Sequence, residues 1–172
     1  GLVDDLISIR PKSKLIGQVI ASLYIILITD LRIESLQGLF GIYELNYLIS
    51  VIATVLIFIV LINAYNLIDG VDGLAGSFAI TVSVFFGCFF YFNENYSMLF
   101  LSVSITGAII PFLRFNFSKK NKVFMGDTGS LIIGFLLTYQ AINFMSTDFS
   151  EAATFINSKS LIYFFAVFSF PL

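Results

Sequence analysis

Leu45–Ile68 reads LNYLISVIATVLIFIVLINAYNLI, 24 residues without one Asp, Glu, Lys or Arg. A helix crossing a bilayer needs about 20 mostly apolar residues, and this run supplies them. Outward from it, charge-free runs recur at Leu15–Thr29, Gly73–Asn93, Asn95–Leu113, Thr128–Thr147 and Ser160–Leu172, of 15, 21, 19, 20 and 13 residues. Lys12 and Lys14 lengthen the first by snorkelling; the last is too short to span. A segment in lipid must pair its own backbone, so the pattern predicts an all-α, polytopic transmembrane bundle of five helices plus the start of a sixth. No ten-residue alternation of a membrane barrel is visible. The 172 residues are 58% hydrophobic and 12% charged, about half the charge of a soluble domain. The chain reads as one domain over residues 1–172. It has no initiator Met and stops inside an apolar run, so both ends read as cut.

Helices that alternate in direction sort the loops onto two sides. Arg10, Lys12, Lys14, Arg114, Lys119, Lys120 and Lys122 fall on one side, and Arg32 and Lys159 on the other. The positive-inside rule makes the first side cytoplasmic. The connection Asp30–Asn46 reads as a short hairpin or an interfacial segment. There is no histidine, which excludes imidazole ligands and triads from this stretch, and Cys88 reads as a small buried thiol.

The same parity places Asp4, Asp5, Asp69, Asp72 and Asp127 at the cytoplasmic end. Their settings are Asp4-Asp5, then Asn63-Ala-Tyr-Asn66-Leu-Ile-Asp69-Gly-Val-Asp72-Gly-Leu-Ala-Gly76, then Phe124-Met-Gly-Asp127-Thr-Gly-Ser130. Each has a bland alternative. Asp72 or Asp127 alone reads equally well as a helix cap, Gly73-x-x-Gly76 as tight helix packing, and Lys119-Lys120 as positive-inside charge. Jointly, five like charges at one interface repel unless a cation neutralises them. Hard divalent ions take carboxylate and amide oxygens, and Asn63 and Asn66 supply amides. Gly70, Gly73, Gly76, Gly126 and Gly129 would let backbone N–H groups approach an anion, and helix N-termini near Asp72 and Thr128 would add positive dipole ends. Together these describe a phosphate or diphosphate site at headgroup level.

These three motifs, in this order and spacing, resemble the polyprenyl-phosphate N-acetylhexosamine-1-phosphate transferases, a group that also contains phospho-N-acetylmuramoyl-pentapeptide transferase. The resemblance covers nearly the whole chain, as an excerpt of a larger, roughly ten-helix enzyme. It implies transfer of N-acetylhexosamine-1-phosphate from a UDP-N-acetylhexosamine to undecaprenyl phosphate, with release of UMP, to start a cell-envelope polysaccharide such as O-antigen. The alternative is the muramoyl-pentapeptide reaction of peptidoglycan synthesis. The form Asn-Leu-Ile-Asp-Gly-Val-Asp looks closer to the glycan-initiating branch. By position, Asp127 looks like the Mg²⁺ ligand (Mn²⁺ as substitute) with Asn66 a second. Asp4 and Asp5 resemble the aspartate pair beside the metal, and Asp69 an acid facing the donor. Asn63 is placed with the substrate-binding residues, and Asp72 and Phe124 match positions that meet uracil. The implied setting is multi-pass in the bacterial cytoplasmic membrane, with the bilayer as partner, no nucleic acid, and a homodimer left open. The family's His-Pro-Ala-like run is replaced here by Phe117-Ser-Lys-Lys-Asn-Lys122, without Pro.

Two other classes compete. A transporter would place ionisable residues at mid-bilayer; the runs hold Gln18, Thr54, Thr81, Ser83, Ser102, Thr106 and Gln140 but no acid or base. A non-catalytic scaffold would be free to lose the acids, yet all of them are present.

Overall fold

The structure, a computed structural model, describes residues 11–36 and 43–147. Five helices cover Pro11–Thr29 (α1), Tyr47–Ile68 (α2), Leu74–Phe92 (α3), Tyr96–Asn116 (α4) and Gly126–Ser146 (α5). All five are long and apolar enough to cross a membrane. Each matches one of the first five charge-free runs. The expected sixth segment, Ser160–Leu172, lies outside the described residues, as do Asp4 and Asp5.

The first helix starts four residues earlier than its apolar run. Pro11 suits a first helical position, where its missing N–H costs nothing. Its buried residues, Gln18, Ser22 and Ile26, recur every four positions and so share one face. Leu15, Ile16, Ile20, Leu27 and Ile28 point outward and are exposed. That is the pattern of a helix whose apolar side meets lipid and whose small polar side meets protein.

α5 is the central element, packed on α2 and α3; α1 lies on α2, and α4 pairs with α3. The α2–α5 contact is close because residue 134 is glycine. A Cβ there would lie 3.2 Å from Ile62 Cα and from Tyr65 Cβ. Near the end of α5, Phe85, Phe86 and Phe89 of α3 surround Phe144 of α5, with Phe89 and Phe144 edge to face at 4.5 Å between centroids. Cys88 is exposed on α3, not buried; apolar context alone does not say whether a residue meets protein or lipid.

In its described part, the connection after α1 is neither helical nor free at the surface. Ile33 is buried. Its N–H donates to Thr54 Oγ1 at 3.0 Å and its carbonyl accepts from Ser50 Oγ at 2.6 Å. Leu45 N–H reaches Glu34 O at 2.9 Å. Non-helical backbone packed on a membrane bundle requires such partners, and two α2 hydroxyls provide them. Ser146 Oγ at the end of α5 lies 3.4 Å from Arg32 O, so the α1 exit, the α2 start and the α5 end share one side.

Candidate active site

The opposite end of the bundle gathers the start of α1, the end of α2, the start of α3, the end of α4 and the start of α5. Asn66 lies in the last turn of α2 and Asp69 is its C-cap. The chain then turns back through Gly70–Gly73. Gly73, at φ 75°, is the N-cap of α3, and its left-handed backbone suits glycine.

Two contacts fasten this turn to the start of α5. Ser130 Oγ lies 2.8 Å from Asn66 Oδ1 and 2.9 Å from Gly126 O, so its one proton is shared between two acceptors. The Gly126 backbone N–H donates to the Asp69 carboxylate. Asp127, in the first turn of α5, forms an ion pair with Lys14 of α1. Partial burial holds the Asp69 carboxyl above its ordinary 3.8, and the nearby Asp127 charge pushes the same way, while the Gly126 N–H opposes both. Residues 66, 69, 127 and 130 thus meet although two chain segments separate them, and Lys14 adds a cation from a third.

A second cluster lies beside the first. Asn116, buried at the end of α4, accepts from Gly73 N–H at 2.6 Å and donates to Val123 O at 2.8 Å. It ties the loop 117–125 to the N-terminus of α3. That loop carries Lys122, whose ammonium lies 2.5 Å from Asp72 Oδ2 and 4.9 Å from the Phe124 ring centroid.

Neither Asp72 nor Asp127 is a helix cap. The N-caps are Gly73 and Met125, and neither makes a side-chain capping bond. Asp127, in the first turn of α5, still lies at that helix's positive end, as the dipole reading expects. The glycines differ from expectation as well. The N–H groups of Gly73 and Gly126 serve Asn116 and Asp69, not an incoming anion, because buried N–H groups need partners and the chain supplies them. Gly76 packs on Leu113 of α4. Asn63 is paired with α1: its Nδ2 donates to Gln18 Oε1 at 2.9 Å, and to Ile59 O at 2.7 Å, in an α1–α2 amide clasp. Among the described residues no group of three His, Cys, Asp or Glu side chains could hold a metal; the side-chain oxygens that meet here belong to Asn66, Asp69, Asp127 and Ser130. Sequence reasoning missed Lys14, Asn116 and Ser130. Lys14 shared the parity of the acids, which was a usable signal; nothing in the sequence marked Asn116 as a clamp.

The profile of glycosyl transferase family 4 matches residues 1–145. The chain is similar to phospho-N-acetylmuramoyl-pentapeptide-transferase of Clostridium perfringens (strain 13 / Type A), 43% identical over 61 residues, 36% of this chain and 19% of that protein. The protein of the same name from Caldicellulosiruptor bescii is 41% identical over 61 residues, with the same shares. In Clostridium novyi (strain NT) the figures are 41% over 61 residues, 36% and 18%. The matched stretch is thus about a fifth of each relative's own length. No solved structure matches the chain. The profile covers the helices α1 to α4, nearly all of α5 and every acid of the site, and on that match the chain belongs to glycosyl transferase family 4.

Proposed function

We propose that the chain is part of a membrane phosphosugar transferase in which polyprenyl phosphate attacks the β-phosphorus of a UDP-sugar. UMP leaves and a polyprenyl-diphosphate-sugar forms. One phosphoanhydride breaks and one is made, so the site has mainly to position the reactants and neutralise charge. The observation that carries the reading is the meeting of Asn66, Asp69 and Asp127 with Lys14 at one end of the bundle.

Asp127 and Asn66, with Asp69 beside them, offer oxygen donors only. That fits Mg²⁺ or Mn²⁺, hard ions content with one or two protein carboxylates and with phosphate and water for the rest. The Lys14 ammonium paired with Asp127 supports a site that takes positive charge. Bound there, the ion would stabilise charge on the phosphate oxygens. Lys14 would hold Asp127 in place and add positive charge for the diphosphate. Asp4 and Asp5, outside the described residues, are proposed to stand beside the lipid phosphate. Asp72 and Phe124 are proposed to meet uracil, by hydrogen bonding and by stacking. Lys12, Lys14, Arg114, Lys119, Lys120 and Lys122 lie at the same end as the acids, which supports a cytoplasmic orientation in a bacterial membrane.

The relatives' names support a phospho-N-acetylmuramoyl-pentapeptide donor better than the N-acetylhexosamine donor favoured by the motif form. The test is UMP release by the intact membrane protein with undecaprenyl phosphate, offering UDP-N-acetylmuramoyl-pentapeptide and UDP-N-acetylglucosamine in parallel. Release with the first donor is expected, lost in EDTA and restored by Mg²⁺. Asp127→Asn should lower kcat by about 100-fold or more. Release with neither donor, or undiminished turnover in that variant, would end the reading.

A further inference from the structure

The ammonium of Lys122 sits on both surfaces that a nucleobase would need. It lies 2.5 Å from Asp72 Oδ2 and 4.9 Å from the centroid of Phe124, over the ring face. A base that both bonded Asp72 and stacked on Phe124 would have to lie between them, on the ring face that the ammonium covers. Base and ammonium therefore exclude one another. We propose that Lys122 is a specificity-determining residue, a built-in competitor that the base of an incoming nucleotide must displace. The inference rests on the proposed base site at Asp72 and Phe124.

The contact suits a displaceable occupant. The side chains of Lys122 and Asp72 are 35% and 52% exposed, and Phe124 is 67% exposed. Ion pairs and cation–π contacts so open to water hold weakly. Asn116 anchors the backbone of this loop through the Val123 carbonyl, so the lysine stem can swing while its base stays fixed. The displaced ammonium remains within a side-chain length of the site and is free to meet phosphate. A nucleoside bears the whole cost of displacement, whereas a nucleotide recovers charge pairing through its phosphates. Lys122 thus favours phosphorylated ligands over the bare nucleoside.

The test measures Kd for uridine and for UDP by the intact protein, in wild type, Lys122→Gln, Lys122→Met and Phe124→Ala. Removing the competitor should tighten uridine about three- to five-fold, with no such gain for UDP. Wild-type uridine affinity should rise with added salt, which weakens the ion pair; the Lys122 variants should lose that dependence. If Phe124→Ala weakens uridine but neither Lys122 variant tightens it, the competitor is refuted while the base site stands. If Phe124→Ala leaves uridine affinity unchanged, the base site fails and the inference falls with it.

Discussion

Asn116→Leu is the substitution with the best-defined cost. Its side chain serves two backbone groups, Gly73 N–H at 2.6 Å and Val123 O at 2.8 Å. The first bond is buried, and leucine leaves the donor without a partner, a loss of about 1–3 kcal/mol. The second is only partly buried, so water replaces it for about 0.5–1 kcal/mol. The sum is about 1.5–4 kcal/mol, concentrated on the junction between the Gly70–Gly73 turn and α3. Expressed as local opening, that is about 10- to 900-fold faster amide exchange. Asn116→Asp keeps an acceptor for Gly73, near the positive end of α3, and loses only the donor to Val123. Exchange in residues 70–76 should therefore rank leucine fastest, aspartate intermediate and wild type slowest. Wild-type exchange in Asn116→Leu would refute the clamp.

Two glycines should differ under the same substitution. Gly134→Ala meets Ile62 backbone and Tyr65 Cβ at 3.2 Å, whereas Gly76→Ala meets mainly the mobile end of Leu113, at 2.5 Å from Cδ2. Thermal unfolding in detergent should show a loss of about 1–3 kcal/mol for the first and a smaller one for the second; equal losses would count against the α2–α5 packing. Because the Asp69 carboxyl is raised by burial and then by Asp127, its ionisation costs the folded state stability, and that cost grows as pH rises through its folded value. Asp69→Asn should therefore raise Tm at neutral pH while lowering turnover, with the gain in Tm shrinking as pH falls toward 3.8; a gain independent of pH would contradict this. A cysteine at Asn95 should react with an impermeant reagent from outside intact cells and one at Lys120 should not; the reverse would invert the proposed orientation.

Charge-free runs and loop parity were enough to read the helices and to sort their ends. Lipid admits few alternatives to a long apolar helix, and successive spans must alternate, so Asp69, Asp72 and Asp127 could be assigned to one end before any contact was known. Boundaries moved by a few residues where local chemistry decided them, as at Pro11. The 30–46 connection stayed ambiguous because its partners, Ser50 and Thr54, lie on the following helix. Cys88 was misplaced because an apolar run does not distinguish lipid from protein.

Pairing was decided only by the tertiary structure. Both Asn63 and Asn66 looked suited to a ligand site, yet they stand almost one helical turn apart. The rotation of α2 turns Asn63 onto Gln18 and Asn66 onto Ser130. Lys14 reaches Asp127 across 113 positions, and Asn116 joins Gly73 to Val123 across two helix ends. Hydropathy and charge are properties of one segment against its solvent, so the sequence alone carries them. Which side chain meets which depends on the rotation and approach of helices about one another, set by packing at contacts such as Gly134 against Ile62, and no single segment carries that information.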